Sequence, residues 1–545
     1  MAQCAASLND SDDQADEHAH VHPSVLAAHD SPLSFALVPS APIMRLPSDL
    51  LYSIFIKLSA VSEHLLLITW LCAEFRGLAL SKPVLWTRLD LTRPALAKLW
   101  IHRSKEAPLH IVASHTSHTR CAEMLSLTVP LTIRLASFDI SITTPNGPLM
   151  KKLADILTCP APILRSLQVK CLGHNGVPCT DCALALQLPS SGGGICVPHL
   201  SCLKLRLPIA SPSWLSNFQP MLPSVVYLDI DNCHRRNDSK VVLPSLEAFL
   251  RALGSAPFLK VLRLRSCLPD THSDLGRKLL LPKLIELSIA GIKASACSSF
   301  LGQLSVPKLS SIALSCDEIG LDWIDDEGTQ LDEFRTLLSR IPLHVHLAPR
   351  QPSRLKIMSL TGDHCFLLSL QAWVYKAETG RMSELDSEPE IDIRNTWKNR
   401  TLDSTDLNSL VHVALRQLDW SQLRWLRVET TPFTSLNTTT LFWTLKTLYP
   451  GMRIEELEIV GGCAKQIIGV LGDTDHNDVP FHHLKRICIY DLDVRATGCY
   501  SLLLSALRCR ARCGLLLQEL VLDSHCDLEE EDYQKLGDFA KVVIC

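Results

Sequence analysis

From residue 160 onward the chain repeats a short pattern, L-x-x-L-x-L, and a repeat of this kind constrains architecture more than any other feature. It reads Leu164-Leu167-Val169, Leu200-Leu203-Leu205, Val225-Leu228-Ile230, Leu259-Leu262-Leu264, Leu284-Leu287-Ile289 and Leu309-Ile312-Leu314. Looser copies follow at Leu355-Met358-Leu360, Leu423-Leu426-Val428, Ile454-Leu457-Ile459, Leu484-Ile487-Ile489 and Leu517-Leu520-Leu522. The first six carry a proline two residues ahead: Pro162, Pro198, Pro223, Pro257, Pro282 and Pro307. Positions four and six alternate inward on a short strand, and proline before the strand suits an entry turn. Returns between strands are predicted as helices at residues 245–255, 331–341, 405–418, 438–448 and 499–513.

One strand plus one return per unit resembles a leucine-rich repeat. Cys233 and Cys267, eight residues past the first leucine position, stand where that repeat family places Asn or Cys to tie the turn. Stacked units imply a parallel sheet on the inside of a curved solenoid, with helices and loops outside. The spacing between first positions runs from 25 to 68 residues, so the solenoid is irregular. Residues 374–400 are polar and acidic (Glu384, Asp386, Glu388, Glu390) and read as a loop or linker. A doubly wound α/β sheet is the alternative; a fixed short repeat favours the solenoid. The expected fold class is therefore α/β, an N-terminal three-helix unit followed by an irregular leucine-rich-repeat solenoid.

The N-terminal unit is residues 46–86. Pro47 suits a first helical turn and Asp49 the positive helix end. Leu50, Ile54 and Leu58 form an apolar stripe at i, i+4, i+8, which Leu51 and Phe55 widen. A polar break at 59–63 offers Ser62 as an N-cap. Leu65, Ile68, Cys72 and Phe75 then recur at helical spacing, and Leu85-Trp86 closes a third short segment after Pro83. A unit of about forty residues buries too little surface to stand alone, so it needs a partner or an attached domain.

This stretch resembles an F-box. The matching residues are Leu46-Pro47, Asp49, Leu50-Leu51, Ile54-Phe55, Leu58, the run 65–67, Leu71-Cys72, Phe75-Arg76 and Leu85-Trp86. Residues 71–86, and the segment 99–109 downstream, are similar to mushroom-type fungal F-box proteins. The position of Phe75 is usually Trp there; here the aromatic is kept and the indole lost. The resemblance implies a substrate-recognition subunit of a Skp-cullin-F-box ubiquitin ligase. It implies a Skp-type adaptor bound by Leu46, Pro47, Leu50, Leu51, Ile54, Phe55, Leu58, Leu65, Ile68, Cys72, Phe75, Leu85 and Trp86. Through the adaptor it implies a cullin, and no catalysis or cofactor of its own. An interaction scaffold without a ligase role is the second reading.

Composition excludes other classes. Net charge is −4 with balanced signs, so nothing points to nucleic acid, which wants a basic face. No apolar run approaches eighteen residues, so no membrane helix is expected. The start lacks a basic-then-apolar leader and carries Asp10, Asp12, Asp13, Asp16 and Glu17. Residues 1–40 read as a disordered tail. The 21 cysteines are scattered without a framework, and read as reduced thiols in a cytoplasmic or nuclear protein. The expected organisation is a tail (1–40), the F-box-like unit (41–90), a helical linker with the first strands (91–160) and the repeat region (161–545).

Two surfaces could carry function. Cys171, His174, Cys179 and Cys182 pair at two-residue gaps and could wrap a tetrahedral zinc ion. In a cysteine-rich chain an ordinary inter-repeat loop is the competing and favoured reading, which would leave an enzyme reading without its metal. Positions five and seven of each unit face away from the core. They read Lys204/Arg206, Asp229/Asp231 and Arg263/Arg265, then Ser288/Ala290 and Ala313/Ser315. Charge that flips sign from unit to unit suits a solvated face or a wall that discriminates protein partners.

Overall fold

The computed structural model describes residues 42–59, 62–114, 123, 125–142, 147–171, 197–207, 218–232, 243–269, 278–317, 327–340, 352–362, 365–374, 391–398, 404–417, 420, 423–430, 441, 444–445, 447, 452–472, 481–495, 497–526 and 528–545. The predicted tail, 1–40, lies outside them. Contacts divide the chain into two compact units, Met1–Ile54 and Phe55–Cys545.

In the first unit, the turn Pro42–Arg45 leads through Pro47 into helix α1, Ser48–Leu58, and the division falls within that helix. The Leu50 and Leu51 amides donate to the Pro47 carbonyl (3.0 and 3.1 Å). Asp49 lies in the first turn as predicted, where the helix end is positive.

The second unit opens with the end of α1, then α2 (Ser62–Leu71), α3 (Ala73–Ser81) and the 3-10 turn Pro83–Trp86. The helical spacing read through Cys72 is in fact broken there. Cys72 is extended (φ −158°) and its sulfur accepts from the Phe75 amide at 3.4 Å. It is an N-cap, which ends one helix and starts another. Strand β1 (Arg88–Asp90) and helix α4 (Pro94–Ser104) follow.

The remaining strands are β2 (Leu109–Ser114), β3 (Leu135–Ile142), β4 (Ser166–Cys171), β5 (Cys202–Leu207), β6 (Tyr227–Asn232), β7 (Val261–Arg265), β8 (Leu279–Leu280), β9 (Glu286–Ile292), β10 (Leu304–Ser305), β11 (Ser311–Asp317), β12 (Pro352–Gly362), β13 (Cys365–Val374), β14 (Ile391–Lys398), β15 (Trp425–Thr430), β16 (Glu456–Gly461), β17 (Arg486–Tyr490), β18 (Glu519–Leu522) and β19 (Lys541–Ile544). The short β8 and β10 pair with each other. The other seventeen form one sheet. The molecule is thus mixed α/β around a large, mostly parallel sheet.

Why these residues become strands is visible at each entry. The amides of Leu164, Leu200, Val225, Leu259, Leu284 and Leu309 each donate to the carbonyl three residues back, at 3.0–3.3 Å. Five of the six prolines therefore occupy the second position of a β-turn, where their fixed φ is pre-set, and Pro223 stands in the last turn of the 3-10 helix Gln219–Ser224. The leucine positions of ten of the eleven units are buried, from Leu164 to Leu522. The exception, Leu355-Met358-Leu360, has its side chains outside what is described. Each buried Leu or Ile side chain contributes roughly 1.5–3 kcal/mol, so the pattern holds the sheet as well as marking it.

The sheet also starts earlier than the repeats were read. β3 carries Leu135, Phe138 and Ile140, all buried, and pairs in parallel with β2 and β4. Residues 131–135 alternate apolar and polar like a half-buried strand, yet Val129–Arg134 is a 3-10 turn and β3 begins at Leu135. Pro130 at the second position of that turn sets the geometry.

The returns read as helices at 245–255, 331–341, 405–418 and 499–513 are helices at Leu246–Leu253, Glu327–Arg340, Ser404–Gln417 and Cys499–Arg512. Most of 438–448 lies outside the described residues. Neighbouring helices pack on one another. Arg340 donates to the Ser298 carbonyl (2.6 Å) and Arg335 to the Ser409 hydroxyl (2.9 Å), and Phe249 meets Phe300 edge to face.

One region departs from the parallel rule. Of the stretch 374–400 read as loop or linker, residues 391–398 are strand β14, and 375–390 lie outside the described residues. β14 pairs in parallel with β11, β13 runs antiparallel between β14 and β12, and β12 pairs in parallel with β15. The spatial order is β11-β14-β13-β12-β15, a reversed meander set between two parallel runs. Polar composition hid β14 because a strand flanked on both edges draws its backbone bonds from its neighbours, whatever its side chains.

Candidate functional site

The short helices keep part of their apolar surface in water. Leu51 is buried in the first unit, while Leu50 is 52% exposed; Leu46 is half-buried and Pro47 exposed. In the second unit Phe55, Leu65, Ile68, Phe75, Leu85 and Trp86 are buried, and Leu58 and Cys72 half-buried. Ile54, at the end of the first unit, is half-buried. Seven of the thirteen residues read as adaptor-binding are therefore core. Phe55 packs edge to face on Phe75 (5.4 Å between centroids). Phe75 is thus a core ring and not part of the exposed surface.

Of the side chains left outside, Leu50 is one the resemblance assigns to the adaptor, Leu67 and Leu71 are among its matching residues only, and Trp70 is in neither set. Leu67, Trp70 and Leu71 stand at i, i+3, i+4 on α2, and Trp70 is 71% exposed. Ile56, Leu80 and Val84 are exposed as well. Of fifteen large apolar residues exposed among the described residues, eight lie within 43–84. Helical spacing explains it: the face of α2 that carries Leu65 and Ile68 turns inward and leaves Leu67, Trp70 and Leu71 on the opposite side.

The second surface is the outward face of the sheet. Register places Gln168, Lys204, Asp229, Arg263 and Ser288 in one row. Lys170, Arg206, Asp231, Arg265 and Ala290 form the next. All six residues read as substrate-binding line one concavity of about 500 Å³. Arg206 Nε and Arg265 Nη1 reach the same Asp231 oxygen, at 3.3 and 3.5 Å. Burial pushes the Asp231 carboxyl above its ordinary range, against the pull of Arg265 and Arg206. Arg263 grips Glu286 through Nη2 and Nε (2.7 and 2.9 Å). The Tyr227 hydroxyl donates to Asp229 at 3.4 Å, and Lys204 lies 4.9 Å from the centre of the Tyr227 ring.

The far half of the sheet is different. Glu456, Glu458 and Cys488 bring possible ligand atoms within 4.8 Å of one another. Arg486 already donates to Glu456 (2.9 Å), and Arg427 and Trp425 to Glu458 (3.3 and 3.2 Å). Burial pushes the Cys488 thiol up to about 12. Both carboxylates already have cationic partners, so the cluster is a ladder of charges across β15 to β17. Of the zinc candidates, Cys171 is buried at the end of β4; His174, Cys179 and Cys182 lie outside the described residues.

The other thiols follow the same logic. Burial raises Cys463 to about 11, and raises Cys267 and Cys297 as well. Only the thiolate is nucleophilic, whereas Cys513 and Cys545 are exposed. Iodoacetamide on the native protein should therefore label Cys513 and Cys545 and spare Cys267, Cys297, Cys463 and Cys488. Peptide mapping by mass spectrometry checks this, with all six labelled after denaturation. No helix among the described residues is long and apolar enough to cross a membrane. No protein-family model matches the chain, and no curated protein matches it.

Proposed function

We propose that the protein is the substrate-recognition subunit of a Skp-cullin-F-box-type ubiquitin ligase. Residues 41–90 act as an F-box that docks a Skp-type adaptor, and through it a cullin. The parallel sheet acts as a leucine-rich-repeat solenoid whose outward face holds the target protein. The chain does no covalent chemistry; it contributes proximity, which converts a bimolecular encounter into a local one.

The observation that carries this reading is the apolar row Leu67, Trp70, Leu71 left in solvent on α2. Exposed apolar side chains scattered singly need no explanation, but a cluster on one short element marks a contact surface. Its place within the stretch that resembles an F-box names the partner. The Phe75 departure does not weaken the reading, because that ring is buried against Phe55 and is not part of the exposed row.

Titration calorimetry of the full chain with a Skp-type adaptor tests it. Wild type should form a complex, and Leu67→Lys with Trp70→Lys should weaken it roughly thirtyfold or more. Lysine is a good helix former and suits the C-terminal half of α2, so the melting temperature should stay within about 2 °C. Absence of a wild-type complex would leave the scaffold reading. Undiminished binding by the double variant would move the contact off α2.

A further inference from the structure

We propose that the charged half of the sheet recognises an acidic, extended segment of the bound protein, which crosses strands β5 to β11 with its carboxylates on Arg206 and Arg265. This rests on the sheet being the target-binding surface.

The first argument is donor capacity. The acids of the concavity are already used: Asp231 by two arginines, Glu286 by Arg263, Asp229 by the Tyr227 hydroxyl and Asp392 by the Gln371 amide (3.3 Å). Two of the cations are used only in part. Arg206 and Arg265 are 46% and 61% exposed and share a single carboxylate oxygen. A guanidinium carries five donors, so each keeps most of its fork for a ligand. An incoming carboxylate would find two converging guanidiniums whose present partner is one half-buried acid.

The second argument is shape. Beyond Arg265 the next two strands present Ser288, Ala290, Ser311 and Ala313 to the concavity, beside Glu286, which Arg263 already holds. A floor of small side chains lets a ligand backbone lie close to the sheet. Five strands at about 4.8 Å spacing span about 19 Å, the length of roughly six extended residues. The interleaved carboxylates disfavour a polyphosphate, which would set a charge against Asp229, Asp231 and Glu286 alike. A peptide can place its acids only where the arginines are.

Fluorescence anisotropy of the full chain with a labelled peptide of alternating Glu and Ala tests this, at near-physiological salt, beside the same peptide with Gln for Glu. The Glu probe should bind and the Gln probe should not. Arg206→Gln with Arg265→Gln should weaken the Glu probe about tenfold or more, while Asp231→Asn, which removes the competing carboxylate, should tighten it several-fold. Asp139→Asn should change nothing, since β3 lies about 14 Å from β6 and charges beyond about 8 Å are screened. The inference is overturned if the Glu probe does not bind, if Gln binds equally, if the arginine pair is dispensable, or if Asp139→Asn matches Asp231→Asn. Adaptor titration on the same preparations separates the two readings. Adaptor binding without probe binding overturns this inference alone; probe binding without adaptor binding overturns the ligase role and leaves the acidic-segment site standing.

Discussion

Trp86→Ala should cost about 3–5 kcal/mol of stability, the range for emptying a fully buried aromatic site. Trp86 has no solvent exposure. Its ring meets Trp100 edge to face at 5.9 Å between centroids, and the Arg103 guanidinium sits 4.4 Å from its centre. Its Nε1 donates to the Ala79 carbonyl at 2.9 Å, tying the Pro83–Trp86 turn to α3. Alanine removes all of these at once. Trp86→Phe keeps much of the packing but leaves that carbonyl only the Lys82 amide at 3.3 Å, for a smaller loss of about 1–2 kcal/mol. Trp70→Ala is the control: the side chain is exposed, so stability should change by less than about 0.5 kcal/mol. Urea unfolding followed by circular dichroism separates the three. Equal losses for Trp86→Ala and Trp70→Ala would contradict the division between core and contact surface.

Gly461→Ala should be nearly as damaging, at about 2–4 kcal/mol. Gly461 ends β16 at φ +80°, a left-handed conformation that penalises any Cβ. An added Cβ would also collide with the carbonyl oxygen of Thr430, its register partner on β15. Since that oxygen belongs to backbone, a strand must move to make room. Gly514 isolates the collision. It too is left-handed, at φ +75°, but has open space around its missing Cβ, so Gly514→Ala should cost only about 1–2 kcal/mol. The same exit position on other strands is taken by Ser266, Gly291 and Asp491, all at positive φ. A left-handed exit is thus a recurrent way of turning the chain off the sheet.

These contrasts show what could be read from the residues alone. The leucines of the repeat were legible because each must be buried for a short strand to be stable, and proline two residues ahead has few other uses. The row of charges from Lys204 to Arg265 was legible for the same reason, since alternation on a strand fixes which face a side chain takes. The left-handed exits were not, because Ser266 and Asp491 carry no compositional mark of positive φ. β14 was not, because its place depends on β11 and β13 and not on its own hydropathy. The exposed row on α2 was legible in part: the stripe through Leu65 and Ile68 leaves Leu67, Trp70 and Leu71 on the other side of the helix. That this other side is left uncovered depends on the rest of the fold and not on α2.

The reversed meander has a consequence for the chain as it leaves the ribosome. Up to β11 each new strand of the large sheet can add beside the previous strand of that sheet as soon as it is made, β8 and β10 pairing apart. After residue 317 the next strand synthesised is β12, yet β11 must wait for β14 at residue 391. At about 5–20 residues per second, that is a delay of several seconds. Throughout it, β11 presents an open hydrogen-bonding edge that another nascent chain could pair with. The middle of the sheet, and neither of its ends, is where newly made molecules most need shielding from one another.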